Sequence, residues 1–144
     1  MNYKPKIRIT GSLSDEDGDS TMEITAEATV IGTETEYEIE YDEEIVPGYR
    51  THTVLRVCGD TVSIIRTGDT VHVITAESGK RHICHYSMPF GEIVFAVYGT
   101  RVKSSVNENG GTLEIEYELS YPNGQMTVNE MKIEIYPEGV GINE

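Results

Sequence analysis

The sequence is poor in the features that mark secreted, membrane-spanning and nucleic-acid-binding proteins. It has two cysteines, Cys58 and Cys84, too few for a disulfide framework, so a reducing cytoplasm is the expected compartment. No apolar run approaches the roughly 18 residues of a membrane-spanning helix, and no continuous apolar segment follows the first lysines, as a signal peptide requires. The 11 Lys and Arg residues face 25 Asp and Glu residues, and the resulting charge of −14 repels phosphate backbones. We therefore expect a cytoplasmic protein that binds neither nucleic acid nor membranes.

Motifs of catalysis and cofactor binding are also missing. There is no Gly-x-Ser-x-Gly elbow, no phosphate-binding loop and no dinucleotide fingerprint. The acidic segment that begins at Asp15 resembles a calcium loop, but that template needs Gly at its sixth position and Glu at its twelfth, where this chain has Ser20 and Ala26. We expect a hairpin turn there, and neither a cofactor nor an enzymatic activity.

The few basic residues are unevenly distributed. Residues 9–49 contain 13 acids and no Lys or Arg, whereas residues 50–103 contain seven basic residues, four acids and all four histidines. Two interpretations remain open. The charges either form solvated faces that keep the protein soluble, or the middle segment forms a basic rim around an anion-accepting cavity.

The apolar residues recur at spacing two and are separated by short Gly-containing turns, which is typical of an all-β protein. Tyr37, Ile39 and Tyr41 alternate with acids, and Asn123–Gly124 is the strongest hairpin signal. We predict a single antiparallel up-and-down β-barrel of about 8–10 strands over residues 1–144, with 137–144 as a loose tail, because a sheet that long rarely stays open.

Hairpin loops fix a register for the middle strands. If Gly68–Asp69 and Ser78–Gly79 are two-residue loops, Thr67 pairs with Thr70 and Glu77 pairs with Lys80. Two inward rows then follow: Ile64, Val73 and Cys84, and Arg66, Val71 and Tyr86. The same count gives one outward row: Ile65, His72 and His85.

Two further strands carry irregular patterns. In the last strand the apolar residues change parity, from Met126 and Val128 to Ile133 and Ile135, which predicts a β-bulge near Asn129–Glu130. The segment 93–102 is apolar on both parities, so its inward face is not fixed by the sequence.

The order of these elements resembles a known family. It runs from Ile65–Arg66–Thr67–Gly68 through Tyr86–Ser87–Met88–Pro89–Phe90–Gly91 to Leu113–Glu114–Ile115–Glu116–Tyr117 and Asn123–Gly124. This order resembles the YwiB-like family of small bacterial proteins of unknown function. The resemblance implies a lipocalin-like (calycin) β-barrel in the cytosol, without an assigned activity or catalytic residues. The chain has no Trp and thus lacks the Gly-x-Trp signature of true lipocalins, so their retinoid or haem ligands are not carried over.

Arg66 is the first candidate for a site residue, because an unpaired guanidinium inside a barrel is costly and must find an anion or another acceptor. It either contacts a ligand, with Tyr86 to orient it, or plugs one end of the barrel against Glu77 or Glu92. His82 and Cys84 share its inward parity and join the candidate ligand-binding set, but two donors fall short of the usual four for zinc, so no metal is expected.

Three functions remain open from the sequence. The first is a non-enzymatic binder of a small amphipathic or anionic molecule, which predicts a cavity of at least ~300 Å³ at Arg66 and Tyr86. The second is an acidic interaction module with a filled barrel, which forms a homodimer or meets a basic protein partner. The third is a hydrolase-like enzyme with a pKa-shifted His or Cys beside a carboxylate. Because barrels of this kind usually enclose something, the binder is preferred.

Overall fold

The computed structural model describes residues 1–68, 71–88 and 90–137. These residues form strands joined by turns, and the prediction of an all-β barrel is confirmed. No helix in the described ranges is long and apolar enough to span a membrane. The strands are β1 (Asn2–Tyr3), β2 (Lys6–Asp15), β3 (Gly18–Gly32), β4 (Glu36–Val46), β5 (Tyr49–Cys58), β6 (Thr61–Thr67), β7 (Val71–Glu77), β8 (Arg81–Met88), β9 (Gly91–Ser104), β10 (Gly111–Ser120) and β11 (Met126–Tyr136).

The strands form one antiparallel sheet that curls into a nearly closed barrel. Its order is β7-β6-β5-β4-β3-β2-β11-β10-β9-β8, and the short β1 pairs with β3 beside this path. The first long strand, β2, therefore pairs with the last, β11, from Ser14–Val128 to Lys6–Tyr136. The chain is an up-and-down meander, as predicted, whose two remaining edges are the sequence neighbours β7 and β8.

The seam between β7 and β8 is closed by a few specific contacts. In the described residues the turn between these two strands forms the isolated bridge Glu77–Lys80, which confirms that predicted pair. At the same end, Gly79 N donates to Gly99 O at 2.8 Å and Gly99 N donates to Lys80 O at 3.2 Å. Gly99 lacks a side chain, so the backbone at Glu77 can pack directly on β9. At the other end of the seam the rings of His72 and Tyr86 meet with centroids 4.2 Å apart.

The two ends of the barrel differ. One end, which we call the mouth, carries the connections between β2 and β3, β4 and β5, β6 and β7, β8 and β9, and β10 and β11. The opposite end is covered, because Val106 is buried and the Tyr3 hydroxyl donates to Asn107 O at 2.7 Å. Aliphatic side chains from nearly every long strand fill the barrel between the ends, and the largest fully buried ones are Ile7, Ile9, Ile39, Leu55, Ile64, Leu113, Ile115 and Ile133.

The predicted register of β6 and β7 is wrong by one residue. Thr67 pairs with Val71, and Arg66 pairs with His72 instead of Val71. A slip of one residue moves every side chain of a strand to the other face. His72 therefore lies inside against Tyr86, whereas Val71 and Val73 are 61% and 40% exposed.

The outward row of Ile65, His72 and His85 is consequently wrong as well. Ile65 pairs with Val73, and His85 is an exposed residue that bonds Glu92 on β9. The inward row that joined Val73 to Cys84 fails too, because Ile64 pairs with the buried Ile74 and β7 forms no ladder with β8 in the described part of the chain.

The predicted bulge at Asn129–Glu130 is also wrong. The ladder between β10 and β11 is regular there, Asn129 is buried opposite Tyr117, and Met126 and Val128 simply face solvent. The register shift of this region lies instead on β9, where Glu116 pairs with Arg101 but Tyr117 pairs with Gly99. The inward face of β9 changes at this shift, from Phe95 and Val97 before it to Val102 after it, whereas Val94 and Tyr98 are apolar residues of the exposed face.

Two expectations fall partly outside the described residues. The loose tail over 137–144 is described only at Pro137, and the predicted partner of Thr67, Thr70, is not among the described residues.

Candidate functional site at the barrel mouth

Arg66 enters the barrel near the mouth as part of a polar row across three strands. Thr53 on β5 pairs with Tyr41 on β4 and with Arg66 on β6. Glu43, two residues beyond Tyr41, shares its inward parity, and its side chain is only 2% exposed. Arg66 Nε lies 3.5 Å from Glu43 Oε1, and the Thr53 hydroxyl donates to the same oxygen at 3.1 Å. The row thus holds one buried carboxylate and one guanidinium as an ion pair.

The polar row is incompletely satisfied. Arg66 Nε and the Tyr41 hydroxyl are buried and have no hydrogen-bond partner among the described residues. Burial raises the pKa of Tyr41, and the Glu43 carboxylate raises it further, against a smaller lowering by the positive charge of Arg66. A buried donor without an acceptor costs about 1–3 kcal/mol, so such a group is a natural contact for a ligand atom.

Aromatic side chains line the barrel beside Arg66. Tyr86 packs edge-on against His72 at 4.2 Å and against Phe95 at 4.8 Å between ring centroids, and Phe95 in turn meets Tyr121. Burial raises the pKa of Tyr86, and the nearby positive charge of Arg66 lowers it in part. Tyr117 on β10 shows the same two effects in the same order, so the charge of Arg66 acts on two phenols whose strands are separated only by β9.

A cavity of about 310 Å³ opens at the mouth beside this cluster. Its inward-facing lining combines Arg66, Tyr117 and Asn129 with the apolar side chains of Leu13, Met22 and Met131. Gly11 and Ser20 add little bulk to the wall formed by β2 and β3. Among the described residues that line the cavity, Arg66 is the only basic one, and the one acid, Glu130, belongs to the exposed, outward parity of β11. The site is an apolar wall with one cation and a few hydrogen-bonding groups.

The four residues predicted as a site separate into different regions. Only Arg66 lines the cavity. Tyr86 is half-buried and is held between His72 and Phe95. Cys84 is buried in the apolar core and is a free thiol.

His82 lies toward the covered end and bonds Glu77 Oε1 at 2.9 Å, while Lys80 Nζ contacts the other carboxylate oxygen at 3.0 Å. These two bonds, from His82 first and then Lys80, lower the pKa of Glu77.

The predicted carboxylate partners of Arg66 are wrong. Glu77 is taken by His82 and Lys80, and Glu92 by His85 at 2.7 Å on the outside, whereas Glu43 is the residue that meets Arg66. A signal for Glu43 was present in the sequence, because it continues the odd parity of Tyr37, Ile39 and Tyr41 into the barrel.

No metal centre is formed in the described ranges, where no group of three or more His, Cys, Asp or Glu residues could hold an ion.

Comparison with known proteins places the chain in a family. Residues 7–135 match the family described as a domain of unknown function, DUF1934. The crystal structure of the ywiB protein from Bacillus subtilis is similar, with a TM-score of 0.77 and 19% sequence identity over 93% of this chain and 92% of that chain. At this identity the likeness is one of fold, and no curated protein matches the sequence. Because the matched segment spans most of the chain, this protein belongs to the DUF1934 family, whose function is unknown.

Proposed function

We propose that this protein is a non-enzymatic binder of a small amphipathic or anionic molecule, which it holds in the mouth of the barrel. The proposal rests on the surroundings of the Arg66 side chain. Its Nε is buried without a hydrogen-bond acceptor in the described structure, and its side chain lines a cavity of about 310 Å³. A ligand with an acceptor or an anionic group would supply the missing contact.

The size and lining of the cavity support the same proposal. Pockets for small molecules usually span about 300–1,000 Å³ and combine an apolar wall with a few convergent polar groups. Leu13, Met22 and Met131 supply such a wall, and methionines adapt their shape to a ligand. Asn129 and Tyr117 can add hydrogen bonds next to Arg66.

The proposal includes no chemical step. Beside the cavity lie the Arg66 guanidinium, phenols whose pKa values are raised by burial, and the Glu43 carboxylate, which is already engaged by Arg66 and Thr53. The phenols stay protonated at neutral pH and, like the guanidinium, serve as hydrogen-bond donors rather than as nucleophiles or general bases. We propose a reducing cytoplasm as the compartment, which suits the two free thiols of Cys58 and Cys84.

The alternative, an acidic interaction module, finds less support in the geometry. It required a filled barrel and one coherent acidic surface over β4 and β10. These strands are separated by β3, β2 and β11, and basic residues interrupt the outward acids, since Arg8 pairs with Glu23 at 3.1 Å and Lys132 lies opposite Glu114. Described residues near the mouth, moreover, line a cavity of about 310 Å³ rather than filling the barrel completely.

The experiment that tests the proposal uses the intact chain in two ways. Native mass spectrometry of the protein purified from its own host should show a bound mass that is absent under denaturing conditions. In parallel, 8-anilinonaphthalene-1-sulfonate, a fluorescent amphipathic anion, should bind the wild type, and Arg66→Met should weaken this binding by about tenfold or more, as the loss of a charged hydrogen bond requires.

Arg56→Met is the matched control. Arg56 lies on the adjacent strand but faces outward, where its Nε pairs with Glu38 at 2.6 Å. The substitution Arg56→Met removes the same charge as Arg66→Met but leaves the lining of the cavity unchanged. Equal dye affinity of the wild type and of a folded Arg66→Met variant, together with a clean polypeptide mass, would contradict the proposal.

A further inference from the structure

We propose that Glu43 determines the class of ligand: the site takes a molecule with an apolar body and a single negative charge, such as a carboxylate or sulfonate, and discriminates against dianions such as phosphate monoesters. This inference rests on the proposed function, because it assigns the charge state of the molecule that Arg66 meets.

The first step of the argument is the geometry of the ion pair. Glu43 Oε1 lies 3.5 Å from Arg66 Nε, and this contact does not have the geometry of a hydrogen bond. The Thr53 hydroxyl donates to that same oxygen and holds the carboxylate on its own side of the row. Glu43 therefore compensates the charge of Arg66 without accepting a hydrogen bond from Nε, which stays available to a second acceptor.

The second step is the count of charges. The charges of Glu43 and Arg66 cancel each other, and no other described residue that lines the cavity is basic. A bound monoanion brings the cluster to one net negative charge, and a dianion brings it to two, beside a carboxylate whose side chain is 2% exposed. Like charges at this depth repel strongly because little water screens them. A guanidinium that already pairs with Glu43 can accommodate a bound monoanion. A bound dianion in the same place is disfavoured.

The third step is the apolar wall. Leu13, Met22 and Met131 face the cavity from β2, β3 and β11, across from the strand that carries Arg66. A ligand whose charged group meets Arg66 therefore extends its body along these side chains.

The test measures how Glu43→Gln changes the binding of two dyes. We expect 8-anilinonaphthalene-1-sulfonate to bind Glu43→Gln about tenfold more tightly than wild type, because a buried like charge has been removed. N-phenyl-1-naphthylamine has the same aromatic body without the sulfonate, and its affinity should change by less than about twofold. Glu40→Gln is the control, because Glu40 lies on the same strand with outward parity, near His52, and its loss alters the net charge equally.

A second measurement addresses the charge state directly. Decanoate and decyl phosphate, which carry about one and two charges at pH 8, compete with the sulfonate dye. The wild-type protein should bind decanoate more tightly than decyl phosphate, and Glu43→Gln should reduce the ratio of these two affinities. If Glu43→Gln does not fold, Glu43→Met removes the same charge with an apolar side chain of similar length and carries the same expectations.

The outcomes separate this inference from the proposed function. If Arg66→Met weakens dye binding but Glu43→Gln leaves it unchanged, the role of Glu43 is refuted and the binder remains. A wild-type preference for decyl phosphate refutes the monoanion class. If neither Arg66→Met nor Glu43→Gln affects the dye, the proposed function itself fails.

Discussion

Gly99 tests the account of how the barrel closes. A Cβ atom added to Gly99 would lie against the carbonyl oxygen of Glu77 and 2.6 Å from the carbonyl carbon, so backbone rather than a flexible side chain would have to move. Gly99 is not one of the positive-φ glycines, and its conformation therefore suits alanine. In open space, Gly→Ala at such a position would stabilise the protein by about 0.4–1 kcal/mol. Because β7 packs onto β9 at Gly99, we expect Gly99→Ala to destabilise the protein instead.

The magnitude follows from the contacts at the seam. If the backbone separates, the bonds that join Gly99 to Gly79 and Lys80 weaken, at about 1 kcal/mol each. If the backbone does not move, the close contact of the added Cβ atom with Glu77 costs about 1–3 kcal/mol, as for other overpacked sites. The two routes together give a loss of about 1–3 kcal/mol in the free energy of unfolding, which corresponds to a fall of roughly 2–12 °C in the melting temperature of a domain of this size.

The assay is urea unfolding followed by far-UV circular dichroism and tyrosine fluorescence, since the chain has no Trp. Gly11→Ala is the control, because Gly11 is also a strand residue without a positive φ, and its new Cβ meets only Met22 Cγ at 3.4 Å and Glu130 O at 3.9 Å. We expect that control to stay within about 0.5 kcal/mol of wild type. A Gly99→Ala variant as stable as Gly11→Ala would refute the close approach at the seam.

Two further predictions concern titration and thiol reactivity. Burial raises the pKa of Tyr37 to about 12, against a smaller lowering by its hydrogen bond to Ser104, so the neutral phenol stabilises the fold below pH 10 and this stability is lost as the pH rises from 10 to 12. Tyr37→Phe should flatten the fall in urea stability over that range, and an unchanged slope would contradict the burial of this phenol. Ellman's reagent should modify one thiol of the native protein, the exposed Cys58, and reach the buried Cys84 only after unfolding. Because a hydrogen bond to Glu36 and its charge raise the pKa of Cys58, Glu36→Gln should speed the native reaction, whereas an equal rate would contradict that contact.

The candidate site was only partly predictable from the sequence. Arg66 was identified because a guanidinium on an apolar strand face must be compensated, and that requirement does not depend on register. Its partner was not identified, since Glu43 is 23 positions away in the chain and reaches Arg66 through β5. The assumption of a two-residue loop after Thr67 predicts that His72 lies on the outer face of the sheet. The actual register differs by one residue, which exchanges the two faces of a strand.

The sequence by itself determined the strands, the turns and the antiparallel meander. These follow from the alternation of apolar and polar residues and from the turn residues, both of which act over a few positions. Tertiary structure decided where the barrel closes, because β2 pairs with β11 while the adjacent β7 and β8 meet mainly through the Gly99 contacts and the His72–Tyr86 rings. It also decided that a cavity opens at the mouth between Arg66 and the wall of β2, β3 and β11. Pairings between distant strands depend on the free energy of the whole closed barrel, which no local pattern records.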